Sequence, residues 1–132
     1  MLFIKRPIFN AIIAHAKTDY PLEACGLLAG TQNIAQAQYV VENIRRSPFA
    51  YEMDPLQQVR AFIDIEQKGW ELLAIYHSHP KGPEFPSETD IEQAYYPETI
   101  YLIISLANYE MPVVRGYRIN AGQITEVSIV VQ

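Results

Sequence analysis

The stretch YHSHPKGPEFPSETD, from Tyr76 to Asp90, sets two imidazoles two residues apart and follows them with a proline-rich bend and a carboxylate. On an extended chain alternate side chains share a face, so His77 and His79 project to the same side. Imidazole nitrogens at that spacing can hold one divalent metal at about 2.0–2.1 Å. Pro80, Gly82, Pro83 and Pro86 stiffen the following loop and can turn it back, so that Asp90 faces the histidines from the first turn of a helix. Two histidines and one carboxylate leave a fourth tetrahedral position for water, the open pattern of a catalytic zinc. The same letters allow a plainer account. Ser87-Glu88-Thr89-Asp90 has the spacing of a helix capping box, with aspartate where Glu or Gln is commoner. Asp90 would then merely favour the positive end of the helix, and the histidines would sit idle at a strand end. Against idleness, the chain has three histidines and two of them fall here.

Hydrolysis at such a metal needs a base, and Glu23 in YPLEACGLLAG is the candidate. It lies between a proline and an apolar strand, where a charge must have a partner or a purpose. If the strand beginning near Ala24 pairs beside the one carrying the histidines, Glu23 approaches the metal without ligating it. A solvated loop carboxylate is the alternative. Cys25, flanked by EACGLL, reads as a small core thiol rather than the nucleophile of a Cys-His hydrolase. His15 falls on the apolar stripe of a helix and reads as a core or boundary residue.

The elements that must position these groups follow from periodicity and punctuation. Residues 2–5 are compatible with a short edge strand. PIFNAIIAHAK places Ile8, Ala11, Ile12 and His15 at helical spacing with Pro7 in the first turn, and the helix should stop before Tyr20-Pro21. CGLLAGT and AQAQYVVEN are strands about the turn-prone TQN. A second helix has Asp54 as N-cap, Pro55 at its first position and Gly69 past its end, with Leu56, Val59, Phe62 and Ile63 as its buried stripe. WELLAIYH is a central strand, SETDIEQAYY a short helix ended by Pro97, and TIYLIISLA, PVVRGYRI and QITEVSIVV three more strands, the last two joined at Asn120-Ala121-Gly122. The expected fold class is α/β, a mixed β-sheet packed against helices.

At 132 residues the chain fits a single domain, 1–132, with a real core. A net charge of −5, with ten Lys and Arg scattered apart from Arg45-Arg46, argues against nucleic acid as a partner. No window holds the roughly 18–20 apolar residues of a spanning helix, which argues against a membrane. MLFIKRPIFN lacks the apolar run of a signal peptide, so the expected setting is the reducing cytoplasm. One cysteine excludes an intrachain disulfide, a Cys-rich zinc site and the Pro-Cys-x-x-Cys of a nucleoside deaminase. An exposed strand edge would leave a homodimer open.

HSHPKGPEFPSETD resembles the JAMM motif, His-x-His-Pro, six residues, then Ser-x-x-Asp, of the MPN (Mov34/PAD-1) metalloprotease family. LEACGLLAG resembles that family's segment bearing the catalytic glutamate, and the likeness to its small prokaryotic members runs over roughly residues 8–120. The resemblance implies the MPN (JAMM) fold, related to that of cytidine deaminases. It implies Zn²⁺ held by His77, His79 and Asp90, with Glu23 as general acid/base and Ser87 stabilising the oxyanion. The implied activity is that of a zinc metallo(iso)peptidase acting at the C-terminal tail of a ubiquitin-like or sulfur-carrier protein. The rival is a non-catalytic MPN scaffold, which the intact set of five residues disfavours. The chain has no room for the long insertions by which eukaryotic deubiquitinating members grip ubiquitin chains.

Overall fold

The structure, a computed structural model, describes residues 1–132. In chain order the elements are β1 (Leu2–Ile4), α1 (Arg6–Asp19), β2 (Cys25–Thr31), β3 (Ile34–Val41), α2 (Pro55–Gln67), β4 (Glu71–His79), α3 (Glu88–Glu92), β5 (Ile100–Ser105), β6 (Val113–Asn120), β7 (Gln123–Val127) and β8 (Ile129–Val131). The strands form one mixed sheet in the order β7-β6-β5-β4-β2-β3-β1-β8. β4 lies centrally, antiparallel to β2 and parallel to β5. The hairpins turn where the sequence places them, on Gln32-Asn33 and Ala121-Gly122, each pair with positive φ as a tight hairpin turn requires.

Strand alternation divides the core into two layers. Ala74 and Tyr76 of β4, Leu102 and Ile104 of β5 and Leu28 of β2 pack with Ile12 and Ala16 of α1 on one face. Ile75 of β4, Cys25 and Leu27 of β2 and Ile103 of β5 pack on the other, against Ala61 of α2. Parity therefore puts Ile75, His77 and His79 on the α2 face. The site is built on that face, at the C-terminal end of β4.

Four expectations are corrected. β1 is not an edge strand: β8 adds to it in parallel, and the pair holds β1 between β3 and β8. The last predicted strand divides at Ser128, so that β7 closes one edge of the sheet and β8 the other. The apolar row Leu56, Val59 and Ile63 of α2 faces solvent, while Ala61 and Ile65 are buried and Phe62 packs against the core. Both rows recur with helical period; small Ala61 allows the close approach to the sheet that bulkier side chains would block. The third helix is also shorter than the reach to Pro97 implied, ending at Glu92.

Candidate active site

The register of β2 against β4 decides the site. Cys25 pairs opposite His77, and Ser78 N–H donates to Ala24 O at 3.0 Å. Continuing the antiparallel pairing sets Glu23 opposite His79, and directly opposed residues share a face. Ser78 Oγ accepts from Ala24 N–H at 2.8 Å and pins this junction from the other side. Glu23 is 3% exposed, and its Oε1 has no hydrogen-bond partner in the protein. It shares a cavity of about 110 Å³ with His79. Burial pushes the Glu23 carboxyl up to about 8, with His79 opposing the shift and Asp90 adding to it.

The loop after His79 is held from three sides. Gly82 N–H donates to His79 O, Tyr117 O–H donates to Glu84 O, and Phe85 meets the Tyr117 ring edge-on at 5.5 Å. Gly82 has φ +76° and lies against Ser105 and Ala107, so the turn needs a residue free to adopt that conformation. The loop delivers α3 with a complete capping box. Ser87 Oγ accepts from Asp90 N–H at 3.1 Å, and Ser87 N–H donates to Asp90 Oδ2 at 2.9 Å.

That cap aims Asp90 at the histidines. Asp90 Oδ2 lies 3.1 Å from His77 Nε2 and 3.0 Å from His79 Nε2, and the two nitrogens are 3.1 Å apart. Three donor atoms thus form a nearly equilateral triangle. A tetrahedral ion with ligands at about 2.0 Å spaces them by about 3.3 Å. The protonation pattern supports the fit. His79 Nδ1 lies 2.7 Å from Pro83 O, a contact that requires Nδ1–H as donor. In the neutral ring Nε2 then carries a lone pair, turned toward a carboxylate oxygen and a second imidazole nitrogen. One proton can relieve one side of such a triangle, whereas one cation relieves all three. Burial alone would push the Asp90 carboxyl up, but hydrogen bonds with His77 and His79 hold it well below the usual carboxylate range. Burial lowers His77, against the pull of Asp90. Burial would lower His79 too, but Asp90 and the Pro83 carbonyl outweigh it and raise the group.

The structure therefore brings together all five residues singled out from the sequence, His77, His79 and Asp90 as the triangle, Ser87 as the cap and Glu23 in the adjoining cavity. It does not bring Cys25 or His15 into the chemistry. Cys25 is fully buried and its thiol is pushed up to about 12 by burial, which leaves it inert. His15 lies on the α1 face, where Nδ1 meets the Tyr76 hydroxyl at 2.6 Å and Nε2 meets Asp19 at 3.2 Å. Sequence reasoning missed Tyr51, whose ring stacks on His77 at 4.6 Å. It also missed Asn43, whose amide donates to Glu23 O and Ala50 O while its oxygen accepts from Arg45 and Glu52 N–H. Asn43 folds residues 43–52 over the site, and only its turn-forming chemistry hints at this.

A family model described as prokaryotic homologues of the JAB domain matches residues 5–120. The chain belongs to this prokaryotic JAB family. Among curated JAB relatives, a CysO-cysteine peptidase of Mycobacterium tuberculosis is 35% identical over 128 residues, covering 96% of this chain and 88% of that protein. A probable TtuB-protein conjugate cleaving protease of Thermus thermophilus is 36% identical over 132 residues, covering 99% and 83%. The solution structure of a Desulfitobacterium hafniense protein superposes with a TM-score of 0.91 at 34% identity, covering 100% of this chain and 93% of that one. A JAB1/MPN domain protein of Archaeoglobus fulgidus superposes with a TM-score of 0.66 at 18% identity, covering 100% and 97%, and shares the fold. This JAB domain thus has the mixed α/β MPN fold, and its relatives carry peptidase names. No helix is long and apolar enough to cross a membrane.

Proposed function

We propose that the protein is a zinc-dependent peptidase or isopeptidase that hydrolyses an amide bond at the C-terminal tail of a ubiquitin-like or sulfur-carrier protein. One observation carries this reading: a buried carboxyl with an unpartnered oxygen lies in a cavity walled by one member of a three-atom ligand triangle. Burying such a group without a partner is costly, and sites that do so put it to use.

His77, His79 and Asp90 would hold the zinc. Bound there, zinc supplies a Lewis acid that makes water nucleophilic near neutral pH and polarises a carbonyl. The Pro83 carbonyl, by holding His79 Nδ1–H, keeps the Nε2 lone pair on the metal side. Glu23 takes a proton from the attacking water and returns one to the departing nitrogen. A carboxyl raised toward neutrality suits a group that must do both. Ser87 Oγ accepts the Asp90 amide, which leaves its own O–H free to donate to the carbonyl oxygen as negative charge develops. Tyr51 covers the His77 ring and keeps water from that side. A sulfur-carrier or ubiquitin-like tail is supported by what the named relatives cleave. A single cysteine, buried and unpaired, suits action in the reducing cytoplasm.

The test is to incubate the zinc-loaded protein with sulfur-carrier proteins extended past their Gly-Gly termini and to read cleavage by intact mass. Cleavage at the glycine pair, abolished by a chelator and restored by zinc, is expected. Intact substrates alongside a fully zinc-loaded protein would instead favour a scaffold.

A further inference from the structure

We propose that the unpaired cations around residues 43–52, Arg45 and Arg46 foremost, are the docking surface for the folded body of the carrier protein, which meets them with an acidic face. This rests on the hydrolytic reading above and adds to it what holds the substrate outside the cleft.

The free cations are not spread evenly. Arg115 pairs with Glu84 and Glu126, Arg118 donates to Glu98 O, and Lys68 pairs with Asp64. Arg6 and Lys17 lie over the Phe9 and Tyr109 rings. Lys5, Arg45, Arg46, Arg60 and Lys81 are exposed and enter none of the ion pairs of the protein. All of these except Lys5 gather round one segment. Arg46 lines a groove with Val40 and Gln57, and Arg60 lines the neighbouring groove with the same two residues. Lys81 lines, with Pro48 and Phe49, the cavity shared by Glu23 and His79. Arg45 lines the cavity of about 330 Å³ walled by Tyr51, whose ring stacks on His77. The cations therefore border the site on both its Glu23 and its His77 side. Glu42 and Glu52 pair with neither arginine, and Asp54 is spent on capping α2. The cations outnumber these carboxylates, in a chain whose net charge is −5.

The turn that carries the two arginines is built in advance. Asn43 Oδ1 accepts from Arg45 N–H at 3.1 Å, and Arg46 N–H donates to Asn43 O at 3.2 Å. Ile44 N–H donates to Glu52 O at 2.9 Å, and Asn43 bridges to Met53. Little backbone freedom is left to lose on binding. Ile44 and Phe49, 40% and 74% exposed, add apolar contact among the charges, and arginine beside apolar groups is the composition of a protein interface. Reach identifies the occupant. An extended tail advances about 3.3–3.6 Å per residue, so a tail of a few residues in the cleft brings the body it springs from against the rim. The leaving group differs between peptide and isopeptide substrates, whereas the carrier body is present in both.

The experiment compares a sulfur-carrier protein extended by one alanine past Gly-Gly with a synthetic peptide of the same tail, each cut by the zinc-loaded protein. In the double variant Arg45→Ala, Arg46→Ala, KM for the carrier should rise about tenfold with kcat unchanged, and the peptide should be cut as before. Arg45→Lys, Arg46→Lys should keep the parent KM, because the charge is kept. Raising salt from 0.1 to 1 M shortens the screening length from about 10 to about 3 Å, and should erase the difference between parent and double variant on the carrier. Binding of the carrier to zinc-loaded Glu23→Gln, read by fluorescence anisotropy, should weaken about tenfold when the two alanine substitutions are added. An unchanged carrier KM in the double variant, or an equal rise for the peptide, would overturn the docking surface and leave hydrolysis standing. If the parent cuts neither substrate, the hydrolytic reading fails and anisotropy alone decides the docking. A tenfold loss on alanine substitution then upholds it, and an unchanged Kd or no binding overturns it.

Discussion

Glu23 can be tested apart from turnover, because its burial has a cost that depends on pH. Its carboxyl is raised from 4.5 to about 8, with burial the largest cause. Below pH 4.5 it is protonated folded or unfolded and contributes no difference. Between 4.5 and 8 unfolding releases a proton, so the metal-free protein loses stability as pH rises through that window. Above about 8 the cost is complete. Glu23→Gln removes it. In urea denaturation of the metal-free proteins, the variant should match the parent near pH 5 and exceed it at pH 8; parallel profiles would show that Glu23 is not held in a desolvated state. Zinc-loaded Glu23→Gln should keep its metal and lose at least about 100-fold in rate. The ligand assignment has its own readout. His77→Ala or Asp90→Ala should lose zinc by metal analysis while the fold persists, and full metal content in either would refute the triangle.

The capped helix α3 shows how one element serves two ends. Ser87 satisfies the Asp90 amide, and the Ser87 amide in turn fixes the Asp90 oxygen that faces both histidines. Ser87→Ala should cost about 1 kcal/mol, the usual effect of deleting a cap, and about 10²-fold in turnover if the hydroxyl also steadies the oxyanion. Ser87→Gly separates the two roles, since glycine caps helices nearly as well as serine but offers no hydroxyl. Retained stability with lost turnover is expected; retained turnover would confine Ser87 to capping. On the opposite face of the sheet, a Cβ at Gly26 would lie 2.5 Å from the Tyr76 ring and hydroxyl. Tyr76 is fully buried and holds His15 and Gln38 through that hydroxyl, so it has no room to yield. Gly26→Ala should destabilise by about 1–3 kcal/mol in the same denaturation assay.

At the scale of the whole molecule, the two packed layers do not depend on the site. Each consists of apolar side chains on its own face of the sheet, and none of the three triangle residues belongs to either. Chelation should therefore leave the far-ultraviolet circular dichroism unchanged while lowering Tm, because a ligand that binds only the folded state stabilises it by mass action. Loss of the secondary-structure signal on chelation would mean that the metal organises the fold. Turnover should fall below about pH 6, as protons compete for the imidazole nitrogens and release metal.

What was legible in the sequence is local. The pair of histidines, the stiff loop and the Ser87–Asp90 cap lie within Tyr76–Asp90, and strand alternation with helix capping is enough to converge them. Turns at Gln32-Asn33 and Ala121-Gly122 were legible for the same reason. The rest was settled by partners distant in the chain. Glu23 meets His79 because β2 and β4 pair in one register, and a slip of one residue would turn it to the other face. Asn43 and Tyr51 matter only once residues 43–52 fold back over that pair. α2 carries two apolar rows of equal period, and only packing against the sheet selects the one through Ala61 and Ile65. β1 became an interior strand when β8 arrived beside it. The sequence by itself determined which side chains could bind a metal, because that depends on period and spacing. Tertiary structure decided how close the buried Glu23 carboxyl, the Tyr51 ring and the adjoining cavity lie to them, because register and helix rotation are set by the packing of the whole sheet.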